Sequence, residues 1–198
     1  MSSASSSSAT AATSVNDVQS EFFRSQPKNW LFNKRKQKDD CAAAVCMQMT
    51  PTALINATVY TIPKSNQIYI DYSIFKSFAH PAIYCDIVDR IVQNFHDCSE
   101  TYGSFDVHIN LASLTVSGIE RYREFIDTFI TNCLQRNLEY STKLNRMYLY
   151  NVPHILEAVS RMLSRMLDAE VMSKVVIYDK PESRDALEQL FNEKPHHH

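Results

Sequence analysis

The chain has 198 residues, 44% of them hydrophobic, and a formal net charge of -2 at pH 7. That length supports one well-buried core with little room for a second, and the faintly acidic balance excludes a general attraction to nucleic acid, which needs positive charge gathered along one face. The 5 cysteines are an odd number with no CxxC pair and no matched second ligand pair for zinc, so they read as free thiols in a reducing compartment.

Residues 1–17, MSSASSSSATAATSVND, carry almost no large apolar side chains and are expected to form a disordered Ser-rich arm, because such a segment cannot bury enough surface to offset its ordering entropy. The arm lacks the apolar core of a secretory signal and the arginines of a transit peptide, and no uncharged apolar run is long enough to span a bilayer, so a cytoplasmic protein is expected. Residues 18–53 form an N-terminal helical or linker segment. Within it Phe22, Phe23, Trp30, Leu31 and Phe32 precede the charged run NKRKQKDD. Aromatics beside basic residues suit peripheral contact with an anionic membrane surface, and they equally suit a solvated linker behind an aromatic anchor.

From residue 54 to residue 192 strand-length and helix-length patterns alternate. Ala57 to Ile62 and Gln67 to Phe75, separated by the turn residues PKSN, predict a hairpin. Ile83, Ile87, Ile91, Val92 and Phe95 mark one face of a helix that opens near His80-Pro81, where proline fits the first turn. Phe105 to Leu111 alternates apolar residues with Asp106, His108 and Asn110, a strand pattern. Ile119, Tyr122, Phe125, Ile126, Phe129, Ile130, Cys133 and Leu134 then predict a broad-faced helix. Met147 to Val152 is a strand that must end before Pro153, which has no amide hydrogen to donate. Ile155, Leu156, Val159, Met162, Leu163, Met166 and Leu167 follow at helical spacing. The series closes with the strand KVVIY at 174–178 and a helix marked by Ala186, Leu187, Leu190 and Phe191. Residues 193–198 are a tail whose terminal histidines resemble a purification-tag remnant. Strands alternating with helices predict an α/β domain, a mostly parallel sheet with helices on both faces.

Motifs for a reaction are missing. The two glycines, Gly103 and Gly118, lie in no GxGxxG or GxxxxGK[ST] pattern, and there is no HExxH or GxSxG. Neither a cofactor nor a catalytic metal is expected, and the protein reads as non-enzymatic. His108 reads as a histidine satisfied by hydrogen bonds on a half-buried strand face, with a ligand or catalytic role as the alternative.

Tyr148, Tyr150 and Pro153 spell Y-x-Y-x-x-P ahead of an amphipathic helix, Lys174 opens the last core strand, and a short helix over 185–191 follows. With the earlier strand VHINLASL, this order resembles the CRAL-TRIO lipid-exchange domains, best in the branch found in BCH and Rho GTPase-activating proteins. The resemblance implies a CRAL-TRIO-like fold over 54–192 and a phospholipid or other apolar small molecule held in a cleft between sheet and helix. Ligand-lining candidates are Val107, Ile109, Tyr148, Tyr150, Val175 and Ile177 on the sheet, with Met162 and Met166 as an adaptable wall; each can also be plain core. The alternative is a ligand-free interaction or scaffold protein that holds a protein partner through an exposed helix face or the Ser-rich arm.

Overall fold

Five strands hydrogen-bond side by side in chain order, the first pair antiparallel and the rest parallel. The computed structural model describes residues 15–25, 34–135, 138–152, 164 and 167–192. Residues 15–25 are helical (α1), and α2 (Lys34–Gln48) and α3 (Pro51–Thr58) precede the hairpin of β1 (Val59–Thr61) and β2 (Gln67–Asp71). Then come α4 (Tyr72–Phe78), a 3-10 turn (Pro81–Ile83), α5 (Tyr84–Tyr102) and β3 (Phe105–Asn110). Helices α6 (Val116–Arg121) and α7 (Arg123–Ile130), a wide turn (Thr131–Gln135) and α8 (Leu138–Lys143) lead to β4 (Leu144–Tyr150). After it α9 (Ala169–Ser173), β5 (Val175–Ile177) and α10 (Lys180–Asn192) complete the order.

Local chemistry sets the boundaries. The strand expected to run to Phe75 stops at Asp71, whose carboxylate accepts the backbone N–H groups of Ser73 at 2.7 Å and Ile74 at 3.3 Å and so starts α4. Ala57 and Thr58 belong to α3 rather than to the hairpin. Pro81 occupies the first position of the turn leading into α5, and Gly103, at φ 78, ends that helix in the left-handed conformation that favours glycine. Strand β4 ends at Tyr150 because Asn151 turns to φ 55. The Asn151 N–H donates to Ser183 Oγ at 2.6 Å, and its side-chain amide donates to Asn110 Oδ1 at 2.8 Å, which ties this corner to α10 and β3. Of the arm expected over 1–17, residues 1–14 lie outside the described residues. Residues 15–17 open α1, with Val15 3% exposed in the core. The helix expected over 155–167 lies almost wholly outside the described residues.

The sheet has two unlike faces. Parallel register places Ile68 beside Val107 and Met147, and Ile70 beside Ile109 and Leu149, an aliphatic face covered by α4, α5, α7 and α8. Phe95 of α5 stacks on Phe105 at 4.4 Å, and Tyr140 of α8 meets the same pair. The other face carries Tyr69, His108, Tyr148 and Tyr150 and is met by α10, whose Phe191 packs on Tyr69 at 5.1 Å.

Candidate functional site

Ile70, Ile109, Met147 and Leu149 form the floor of a cavity of about 150 Å³ on the aliphatic face. Its roof is the apolar stripe of α6 and α7, where Ile119, Tyr122, Phe125, Ile126, Phe129 and Ile130 recur at three- and four-residue spacing. The Thr115 hydroxyl accepts the Gly118 N–H at 3.1 Å and begins that roof. Tyr72 and Phe75 of α4 close one side in an aromatic cluster, with Phe75 4.6 Å from Phe125 and 4.9 Å from Tyr122. Ile91 of α5, Gly118 of α6, Leu111 and Leu114 from the loop after β3, and Leu167 ahead of α9 complete the described lining. Such a wall offers dispersion and desolvation and almost no hydrogen bonds, so its chemistry selects an apolar occupant. A void near 150 Å³ matches one that stays dry and accepts a benzene-sized guest, below the roughly 300 Å³ of common small-molecule pockets.

A second recess of about 340 Å³ adjoins the first, between α1, α2, α4 and α6. Lys38, Lys76 and Arg121 line it together with the hydroxyls of Ser77, Ser113, Thr115 and Ser117. The Lys76 ammonium donates to Ser113 Oγ at 2.5 Å. The Arg121 guanidinium donates to Asp39 at 2.9 Å and lies 4.9 Å over the Tyr122 ring. Tyr72, Gly118 and Tyr122 line both recesses.

The opposite sheet face holds a stack of rings. His108 lies 4.7 Å from Tyr148 at 15°, and Tyr150 lies 5.3 Å from Tyr178 at 7°. His108 Nδ1 and the Tyr150 hydroxyl are 2.8 Å apart, at hydrogen-bond distance, whereas Nε2 is buried without a partner among the described residues. Burial lowers the His108 pKa to about 4, so the ring is neutral at neutral pH. Burial likewise raises Tyr150, reinforced by Tyr178 and Tyr148, and raises Asp106 against the opposing pull of Arg146.

A family model for the CRAL/TRIO domain matches residues 90–196, more than half of the chain. This chain belongs to the CRAL/TRIO family. The family is known for binding lipophilic ligands, and the matched span includes three of the cavity's four floor residues and its helical roof. No curated protein matches the chain.

Against this cavity the candidates from sequence divide. Ile109 lines the cavity. Val107, fully buried, and Val175 and Ile177, half-buried near the β5 edge, share its pleat face without lining the void. Tyr148 and Tyr150, expected on the floor, point to the other face, and Met147 and Leu149 take their place. The cause is a bulge: Phe105 pairs with Leu144 but Asp106 with Arg146, so Asn145 is skipped and the alternation of β4 shifts by one. Met162 and Met166 lie outside the described residues. The roof of α6 and α7 was missing from the candidates, although its apolar face, broader than contact with one strand row demands, was the available signal.

Proposed function

We propose that this CRAL/TRIO chain is a non-enzymatic binding module that holds a lipid or other apolar molecule between its sheet and the α6–α7 roof. The apolar cavity is the observation that carries the reading. A wholly aliphatic and aromatic void beneath half-buried Phe125, Ile126 and Phe129 is worth enlarging only for an apolar guest, since each buried CH₂ contributes about 0.8 kcal/mol. The limited volume means that a long chain would require the roof to lift from the floor.

The test is native mass spectrometry of the purified chain, followed by uptake of a fluorescent phospholipid into delipidated protein. Apolar cargo should accompany the protein, and Ile126→Trp, which fills the void, should suppress uptake while leaving the thermal midpoint near that of wild type. A folded wild type that takes up no apolar probe would sink this reading. The small volume favours, as second reading, a ligand-free scaffold with a closed core that binds a protein partner.

A further inference from the structure

We propose that the outer recess is a separate site for a small, soluble phosphate monoester, its phosphate held by Lys38 and Lys76 in the field of Arg121 and its organic body laid against Phe23. The site stands apart from the apolar cavity. A Cβ on Gly118 would lie 2.7 Å from the Tyr72 hydroxyl oxygen, so that hydroxyl is seated on α6 and closes one recess from the other.

Charge selects the phosphate. The chain as a whole carries a net charge of -2, yet cations from α2, α4 and α6 meet in this recess, and no carboxylate lines it among the described residues. Arg121 is held by Asp39. Lys76 feels the charge of Asp71, whose Oδ1 is occupied by the N–H groups that start α4. Neither Lys38 nor Lys76 has an ion-pair partner among the described residues. The Lys76 ammonium gives one proton to Ser113 and keeps two for another acceptor. With the exposed Ser117 hydroxyl in the same lining, these donors suit the three acceptor oxygens of a phosphate monoester.

Size and lining select an organic body and a ligand that enters. The volume of about 340 Å³ falls within the range of small-molecule sites, roughly 300–1,000 Å³, and exceeds what a bare phosphate fills. Phe23 lines the recess and is 46% exposed, so its ring keeps apolar surface for the organic group. A membrane surface is met by basic side chains displayed outward. Here Lys76 is half-buried and the Arg121 side chain is 12% exposed, so the charge is offered inside a recess.

The experiment titrates the full chain with phenyl phosphate, phenol and inorganic phosphate by calorimetry at low ionic strength. Phenyl phosphate should bind about tenfold or more tightly than either comparison, since charge-assisted hydrogen bonds and buried ring surface both contribute. Lys38→Gln with Lys76→Gln should weaken it about tenfold or more at an unchanged thermal midpoint. Phe23→Ala should bring phenyl phosphate to the level of inorganic phosphate. Ile126→Trp, which fills the apolar cavity, should leave phenyl phosphate binding unchanged, so that the two sites stand or fail separately. No saturable binding of phenyl phosphate, or equal binding by the double lysine variant, would overturn the proposal. Phenol binding as tightly would remove the phosphate from it, and inorganic phosphate binding as tightly would mean an anion site that makes no use of the organic group; either result overturns it. Sedimentation with phosphatidic acid vesicles through the same lysines, in a chain that gives no response to phenyl phosphate, would assign the recess to a lipid surface instead.

Discussion

The two faces of the sheet are built from the same strands and do different work. On one, Ile70, Ile109, Met147 and Leu149 present hydrocarbon to apolar side chains of α4, α5, α6 and α7 and still leave a void. On the other, His108, Tyr148, Tyr150 and Tyr178 stack ring on ring, and polar atoms are satisfied in part by one another. Adjacent residues of β4 thus meet opposite environments. The difference teaches that hydrophobic strand content alone does not make a cavity: the void lies where the described helices leave an aliphatic face partly uncovered.

The sharpest break of this comparison is the same substitution at neighbouring positions. Met147 is 2% exposed, so Met147→Asp places a carboxylate among hydrocarbon and should cost on the order of 5 kcal/mol. Tyr148→Asp, half-buried beside Arg146, should cost clearly less. Urea unfolding of the two variants measures both, and equal losses would erase the distinction between the faces.

Within the aliphatic side, packed and unpacked regions separate next. Phe95 is fully buried against Phe105, and Phe95→Ala should cost about 4 kcal/mol. Phe129 already borders the void, so Phe129→Ala should cost about 1–2 kcal/mol, because fewer close contacts are lost. Chemical denaturation of apo protein reads the gap, and a reversed order would argue that the cavity closes in solution.

The aromatic face should show itself through pH. As pH falls below 6.5 the unfolded chain protonates His108, while the folded ring stays neutral until about pH 4. Its contribution is therefore complete above pH 6.5 and is lost as pH falls to about 4, on the order of 3 kcal/mol in total. Asp71 and Asp106, raised by burial, act in the opposite direction, so wild type must be compared with His108→Phe at each pH. Parallel pH dependences for the two proteins would show that His108 is protonated alike in both states. The smallest effect belongs to Tyr150→Phe, which removes the hydroxyl beside His108 Nδ1 and should cost about 1 kcal/mol, read from the denaturation midpoint at neutral pH.

Local pattern in the sequence determined the kind and order of most elements, because hydrophobic period and proline position act over a few residues: the alternation of Phe105, Val107 and Ile109 with Asp106, His108 and Asn110 survives intact in β3. The hydrophobic stripe of 119–134 foretold one helix, where the structure has α6 and α7 broken at Tyr122 and a wide turn after them, and it did not foretell that they roof a void. Only tertiary structure decided which side of β4 faces the cavity, since both Met147/Leu149 and Tyr148/Tyr150 are apolar enough for a floor, and the bulge at Asn145 is chosen by contacts with β3 across some forty residues of chain. The same holds for Lys38, Lys76 and Arg121, whose separation in sequence hides the recess they share. Local interactions select an element's conformation, whereas register and convergence depend on the summed packing of distant segments.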